Sequence, residues 1–190
     1  SVNLALTIAS PTKKTVIIGA DIRNPQLQRY NTDRKGLIGL TEFLHDEKTK
    51  INEIIHQSVF NPYLDVIYSG SIPPNPTDLL SNGKFEILID ELSHTYDYII
   101  LDTAPLMLVT DSFLISDVAD VTLYVSRSKY TEKSLLDFAN KSIESHKIKN
   151  VAFVLNDVDK DYLGYGNKYG YGYGQKELSF FDKLKHRLKL

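Results

Sequence analysis

Two stretches of branched apolar residues each lead to an aspartate, and this pattern restricts the possible folds more than any other feature. Residues 15–18 are followed by Asp21, and residues 98–101 run directly into Asp102. Short continuous apolar runs are typical of strands that are buried on both faces, as in parallel sheets. In such sheets ligands bind beyond the carboxyl ends of the strands. We therefore expect both aspartates at the edge of the sheet where a site would form.

The other apolar patterns alternate between strands and helices. We predict strands at residues 64–68, 121–125 and 151–155, the last two of them buried, and helices at residues 84–92 and 131–145. With 190 residues, of which 42% are hydrophobic, the chain is long enough for one globular domain with a full core. The alternation predicts an α/β fold, with a doubly wound, mostly parallel sheet and helices on both faces.

Composition argues against several classes of function. The formal net charge of -2 disfavours a nucleic-acid-binding protein, which usually carries a strongly basic face. The chain has no cysteine, so it forms neither disulfides nor thiolate metal sites. No apolar run approaches the roughly 20 residues that span a bilayer. A link to a membrane would come from a partner, a segment outside this sequence or a surface helix.

The segment after the first strand contains a carboxylate and a guanidinium. Asp21 can bind Mg²⁺ or orient a nucleophile, and Arg23 can bind a phosphate or pair bidentately with a neighbouring acid. The same residues are also compatible with a solvated turn in which Asp21 caps a helix. Both interpretations stay open on the motif alone.

The second strand ends in a more specific pattern. Asp102 follows four apolar residues, and Thr103 adds a hydroxyl next to it. An aspartate at the end of a buried strand suits the Walker B role, in which it coordinates Mg²⁺ directly or through water. The alternative is a strand-end aspartate whose oxygens accept hydrogen bonds from backbone amides. Two strands of one α/β chain are each followed by an aspartate. A functional role for Asp21 therefore becomes more plausible in the presence of Asp102, and the reverse also holds.

Four blocks, in this order, resemble the bacterial tyrosine kinases of the capsule and exopolysaccharide type, which are relatives of the deviant P-loop ATPases. The blocks are DIRNPQL at 21–27, SGSIPPNPTDLL at 69–80, YDYIILDTAP at 96–105 and VLNDVD at 154–159. The second block favours the kinases over the chromosome-partitioning and septum-site branch. The resemblance covers nearly the whole chain and implies ATP and Mg²⁺ as cofactors.

The resemblance also implies roles for individual residues. Asp21 would lie in the Walker A′ motif and bind Mg²⁺ or help activate the attacking tyrosine hydroxyl, and Asp102 would be the Walker B metal ligand. Kinase Walker A′ motifs usually carry Asp-x-Asp, whereas Gly19 occupies the first of those positions here. Asn156 matches the position where related ATPases contact the adenine. Arg127 follows a strand end and is either a nucleotide contact or a surface arginine.

The phosphate-binding loop itself does not occur in the sequence. No stretch matches Gly-x-x-x-x-Gly-Lys-[Ser/Thr], and the pair Lys13–Lys14 precedes a strand instead of opening a helix. Residues 1–10 look helical and resemble the helix that follows the loop in the family. We therefore expect a domain at 1–160 whose first strand and P-loop precede Ser1, and weak ATP binding without them. The alternative is that this helix is the N-terminus.

A glycine- and tyrosine-rich tail is expected at residues 161–175. Its tyrosines stand among glycines in a pattern that fits neither a helical stripe nor a packed strand; they are Tyr162, Tyr165, Tyr169, Tyr171 and Tyr173. A phosphoacceptor cluster, a low-complexity linker and a stacking platform for single-stranded nucleic acid are the possible readings. Neighbouring acidic residues disfavour the last. The family resemblance implies phosphoacceptors.

Residues 176–190 predict a basic amphipathic helix after the tail. Its apolar residues fall roughly along one face, with lysines and an arginine elsewhere. The helix could lie on an anionic membrane surface or pack against the domain, and the sequence favours neither.

Taken together, the sequence predicts a protein-tyrosine kinase domain that autophosphorylates its tail with Mg-ATP. The resemblance implies a cytoplasmic location at the inner face of the plasma membrane. It also implies three kinds of partner: other copies in a ring, a membrane polysaccharide co-polymerase or activator segment, and a tyrosine phosphatase. A non-catalytic assembly module with a degenerate ATPase fold is the rival hypothesis.

Overall fold

The strand that leads to Asp21 lies in the middle of a four-stranded sheet. The computed structural model describes residues 1–30, 37–107 and 110–159. In it this strand spans Thr15–Gly19 (β1), and all of its residues are buried. It pairs in parallel with Leu64–Ile67 (β3) on one side and with Tyr98–Asp102 (β4) on the other. Ile55–Gln57 (β2) pairs antiparallel with β3, which gives the order β2-β3-β1-β4.

Helices connect these strands and cover both faces of the sheet. A short 3₁₀ helix follows β1, and the α-helices are Val2–Ile8 (α1), Leu40–His45 (α2), Ile51–Ile54 (α3), Pro76–Leu80 (α4), Lys84–Ser93 (α5), Asp111–Asp117 (α6) and Lys133–Glu144 (α7).

Successive residues of β1 belong to two hydrophobic clusters because side chains alternate across a strand. Val16 and Ile18 pack with residues of α2, α4, α5 and α6, whereas Ile17 packs with α1 on the opposite face. The two clusters confirm the predicted α/β fold, with a mostly parallel sheet and helices on both faces.

Two later strands form a separate parallel pair, Thr122–Arg127 (β5) and Val151–Asn156 (β6). The prediction that both are buried is wrong for the described residues. Tyr124 points toward α7 and donates a hydrogen bond of 3.1 Å to the carbonyl of Leu135, but Val125 on the other face is 61% exposed. Most of β6 is exposed as well. Apolar composition shows that a strand can be buried, but it does not show what covers it.

Element boundaries agree with the predictions to within one or two residues. The strand predicted at 64–68 ends at Ile67, and the helix predicted at 131–145 begins at Lys133. Strand β2 and helices α2, α3, α4 and α6 have no counterpart in the predictions. Each is shorter than the window over which periodicity becomes visible.

Among the described helices, none is both long enough and apolar enough to cross a membrane. The tyrosine tail at 161–175 and the segment 176–190 lie outside the described residues. The flexible tail and the amphipathic helix therefore stay predictions.

Candidate functional site

Asp21 and Asp102 lie next to each other at the carboxyl ends of neighbouring strands. Gly19 is the register partner of Asp102 across β1 and β4. Beyond this pair, the backbone N–H groups of Ala20 and Asp21 both donate to the carbonyl of Asp102, at 2.8 and 2.9 Å. The two aspartates therefore lie at adjacent backbone positions on the edge of the sheet where the sequence predicts a site.

Each carboxylate has a partner of a different kind. Oδ1 of Asp21 accepts a hydrogen bond of 3.0 Å from the backbone N–H of Asn24, which closes a turn after β1. Oδ1 of Asp102 accepts a hydrogen bond of 2.5 Å from the hydroxyl of Ser1, the residue that precedes α1. The turn expected as the alternative reading of Asp21 is thus present, although no helix begins there. Thr103 is exposed beside Asp102.

The donor set at this edge fits Mg²⁺. Mg²⁺ is usually held by one or two carboxylates together with substrate phosphates and water, and not by a cage of protein ligands. Asp21 and Asp102 are both half-buried and supply two carboxylates on adjacent strands. The part of the chain that the structure describes contains no cluster of three or more His, Cys, Asp or Glu residues suited to a metal. A Mg²⁺ site formed by Asp21 and Asp102 together with phosphate oxygens matches the usual arrangement of Mg²⁺ ligands.

Arg23, whose side chain is 38% exposed, forms a bidentate pair with the buried Asp111. Its Nε donates to Oδ2 at 2.6 Å and one terminal nitrogen donates to Oδ1 at 3.1 Å. The hydroxyl of Thr77 accepts a bond of 2.8 Å from Arg23 and donates one of 2.8 Å to Asp111. Of the two roles predicted for Arg23, the structure shows the pairing with an acid, and the phosphate contact stays a prediction.

The environment keeps Asp111 ionised despite its burial. Its side chain is only 4% exposed. Burial raises the pKa of the Asp111 carboxyl, but hydrogen bonds from Arg23 and Thr77 and the charge of Arg23 outweigh this, so that the pKa is lowered overall. Sequence reasoning missed both Asp111 and Thr77. The available signals were the acid partner expected for Arg23 and the position of Thr77 within the second block.

Gly19 makes a close contact that explains its lack of a side chain. A β-carbon built on Gly19 would lie 2.6 Å from Oγ of Ser69 and 3.1 Å from its backbone nitrogen. The Ser69 hydroxyl is buried and has no hydrogen-bond partner. An aspartate at position 19 would thus require Ser69 to move or to be replaced.

Arg127 and Asn156 form a second pair of predicted site residues, at the ends of β5 and β6. They are register partners in the parallel pair, and both are exposed. Nε of Arg127 donates to Oδ2 of Asp157 at 2.7 Å, and its guanidinium lies 5.1 Å from the centroid of the Tyr130 ring. Arg127 is thus a surface arginine with local partners, and a nucleotide contact by either residue stays a prediction.

Comparisons with known proteins identify the family to which this chain belongs. No protein-family model matches the chain. It is 37% identical over 166 residues to the tyrosine-protein kinase ptk of Acinetobacter johnsonii, covering 87% of this chain and 22% of that protein. It is 33% identical over 172 residues to the tyrosine-protein kinase CpsD of Streptococcus agalactiae, covering 90% of this chain and 74% of CpsD. The chain belongs to the bacterial tyrosine-protein kinases.

Solved structures agree with this assignment. The kinase domain of the Escherichia coli tyrosine kinase ETK superposes with a TM-score of 0.74 at 27% identity, over 90% of this chain and 65% of that one. The cell division protein MinD of Aquifex aeolicus gives a TM-score of 0.64 at 18% identity, over 86% of this chain and 65% of that one. The likeness to MinD shows that this bacterial tyrosine kinase shares the fold of the P-loop ATPases.

Proposed function

We propose that this bacterial tyrosine kinase domain transfers the γ-phosphoryl group of Mg-ATP to tyrosine hydroxyls, including those of its own tail. The proposal is carried by one observation, the juxtaposition of Asp21 and Asp102 on neighbouring strand ends. Two carboxylates at this edge can hold one Mg²⁺ while leaving coordination positions for phosphate oxygens. Phosphoryl transfer depends mainly on such positioning and on charge neutralisation.

The proposed transfer is a displacement at the γ-phosphorus: the phenol oxygen would attack, the bond to the bridging β–γ oxygen would break, and ADP would leave. Mg²⁺ held by the aspartates would supply charge neutralisation on the phosphate oxygens. Asp102 is assigned as metal ligand, whereas the Asp21 carboxylate either binds the metal or accepts the phenolic proton. With glycine at position 19, no second carboxylate of the Walker A′ motif shares these tasks.

The tail supplies the phosphoacceptors in this proposal. Its five tyrosines stand among glycines in the sequence and each offers a phenol oxygen. Transfer between subunits would let the tail of one copy enter the site of its neighbour and would build a ring. Each phosphate adds a charge of about -1.5 to -2, so multiple phosphorylation would drive neighbouring tails apart and disperse the ring.

The cellular role follows from the resemblance to kinases of the capsule and exopolysaccharide type. We propose that the domain acts at the inner face of the plasma membrane and regulates polysaccharide polymerisation and export. A membrane co-polymerase or activator segment would stimulate the kinase, and a tyrosine phosphatase would reverse its action. This chain spans 22% of the length of the Acinetobacter relative and 74% of that of CpsD.

A non-catalytic assembly module is the alternative function. One observation favours it: Gly19 stands where the kinase motif carries an aspartate, and a β-carbon there would lie 2.6 Å from the Ser69 hydroxyl. In that case tail-mediated association would occur without phosphoryl transfer.

The test uses the complete gene product, because the 190 residues contain no phosphate-binding loop. The protein is incubated with Mg-ATP, and phosphotyrosine is mapped by mass spectrometry in the wild type and in Asp102→Asn. The matched control is Asp120→Asn, which removes an exposed carboxylate just before β5. We expect phosphotyrosine in the wild type and in the control but not in Asp102→Asn. A wild type without phosphotyrosine would favour the assembly module.

A further inference from the structure

Arg23, Asp111 and Thr77 form a closed hydrogen-bonded triangle, which we call the Arg23–Asp111–Thr77 clamp. Each member bonds to the other two, at distances between 2.6 and 3.1 Å. The partners lie far apart in sequence, because Asp111 comes 88 positions and Thr77 54 positions after Arg23. The clamp therefore ties together three segments that the chain brings to one place only on folding.

Two of these segments begin at the candidate metal carboxylates. Arg23 lies two residues after Asp21, and Asp111 opens α6 nine positions after Asp102. At the strand ends, the N–H of Asp21 donates to the carbonyl of Asp102. The residues at the two strand ends are thus joined by this backbone bond, and farther out the clamp links Arg23 to the first residue of α6.

Thr77 connects the clamp to a third element. It is the second residue of α4, which begins at Pro76 after the proline-rich part of the second sequence block. Leu79 and Leu80 of this helix are buried in the same hydrophobic cluster as Ile115 of α6. The position of the Thr77 hydroxyl is therefore set by packing on the core, which gives the clamp a fixed point.

We infer that the clamp is a positioning device that sets the separation of the Asp21 and Asp102 carboxylates for one shared Mg²⁺. The inference rests on the proposed function. Arg23, Asp111 and Thr77 do not need to contact the metal. They act by fixing the residues that follow its two ligands, Asp21 and Asp102. The geometry requires arginine, since a lysine ammonium cannot make the two parallel bonds seen to Asp111.

Stability alone is a poor explanation for such a clamp. Only the Asp111 side of the pair is buried, because the Arg23 side chain is 38% exposed, and ion pairs that are open to solvent usually contribute little to stability. In contrast, residues that orient metal ligands typically change metal affinity by about 10- to 100-fold when they are mutated. The clamp thus predicts an effect on Mg²⁺ affinity that exceeds any effect on folding.

The experiment measures Mg²⁺ binding directly, by calorimetric titration of the complete gene product in the presence of saturating ADP. The variants are Arg23→Lys, Thr77→Val and Thr77→Ser. Of the two Thr77 variants, only Thr77→Ser keeps a hydroxyl. Asp117→Asn is the control, because it breaks an exposed pair with Lys149 at the other end of α6. Thermal unfolding of each variant is followed in parallel.

We expect the Mg²⁺ dissociation constant to rise about 10-fold or more in Arg23→Lys and in Thr77→Val, while Thr77→Ser and Asp117→Asn stay near the wild type. Equal Mg²⁺ affinity in all variants, with the wild type binding normally, would overturn the inference and leave the proposed function standing. A wild type that does not bind Mg²⁺ would overturn the proposed function itself. Thr77→Val removes one hydroxyl at nearly constant volume, so the test does not depend on Arg23→Lys being folded.

Discussion

The unpartnered hydroxyl of Ser69 faces Gly19, and a β-carbon on Gly19 would lie 2.6 Å from it. Ser69 is 1% exposed. With serine at position 69, a β-carbon at position 19 therefore requires the Ser69 hydroxyl to shift.

This contact predicts a dependence between the two positions. Gly19→Ala should lower the free energy of unfolding by about 1–3 kcal/mol, the usual cost of overpacking a core. Ser69→Ala should be neutral or stabilising, because it removes a buried hydroxyl that has no partner. Chemical denaturation of the two single variants and the double variant measures the coupling. We expect the double variant to be more stable than Gly19→Ala, and strictly additive effects would contradict the contact.

Acid should destabilise the fold through Glu42. This carboxylate accepts hydrogen bonds from the backbone N–H of Gly39 at 2.7 Å and from both the N–H and the hydroxyl of Ser71, at 3.0 and 2.6 Å. Burial raises the pKa of Glu42, but these bonds, with those from Ser71 foremost, outweigh it and lower the pKa below its ordinary value of 4.5. The carboxylate's contribution is present above pH 4.5 and is lost as the pH falls through the lowered pKa.

Glu42→Gln tests this directly by urea unfolding over a series of pH values. The wild type should lose stability more steeply than the variant as the pH falls below 4.5. Glu86→Gln, at an exposed position on α5, should follow the wild-type curve. Parallel curves for the wild type and Glu42→Gln would show that the hydrogen bonds do not hold the ionised form.

The position of Asp21 and Asp102 at the carboxyl edge of the sheet could be predicted from the sequence, because each follows an apolar run typical of a buried parallel strand. That β1 and β4 are neighbours could not be predicted, because strand order has no local signal. The clamp could not be predicted either. Its members are 54 and 88 positions apart, and two of them open helices α4 and α6, which are too short to show a periodic pattern. Glycine at position 19, in place of the expected aspartate, is visible in the sequence. Its contact residue Ser69 lies two residues after the end of β3, and no local pattern in the sequence indicates that contact.

The exposure of β5 and β6 shows a different limit of sequence reasoning. Leu123 and Val125 are apolar and correctly predicted as strand residues, yet both are exposed in the described part of the chain. Burial depends on which element packs against a strand, and that element is not encoded in the strand's own composition.

Phosphorylation of the tail should change the assembly state of the complete protein. The proposed ring depends on tail docking, and several phosphates would repel one another. Sizing with light scattering compares the phosphorylated protein with a variant that has all five tail tyrosines changed to phenylalanine. We expect the phosphorylated form to be smaller. Equal oligomer sizes for the two would count against dispersal by phosphorylation.

Transfer between subunits tests the central claim, that the Asp21–Asp102 site phosphorylates the tyrosines of this chain. Full-length Asp102→Asn, which keeps its tail tyrosines, is mixed with the five-phenylalanine variant, which keeps its site, in the presence of Mg-ATP. Phosphotyrosine is then measured on each chain by mass spectrometry. We expect phosphotyrosine on the Asp102→Asn chain in the mixture and none when that chain is incubated alone. Phosphorylation of Asp102→Asn by itself, or its absence from the mixture, would show that the Asp21–Asp102 site does not phosphorylate the tail between subunits.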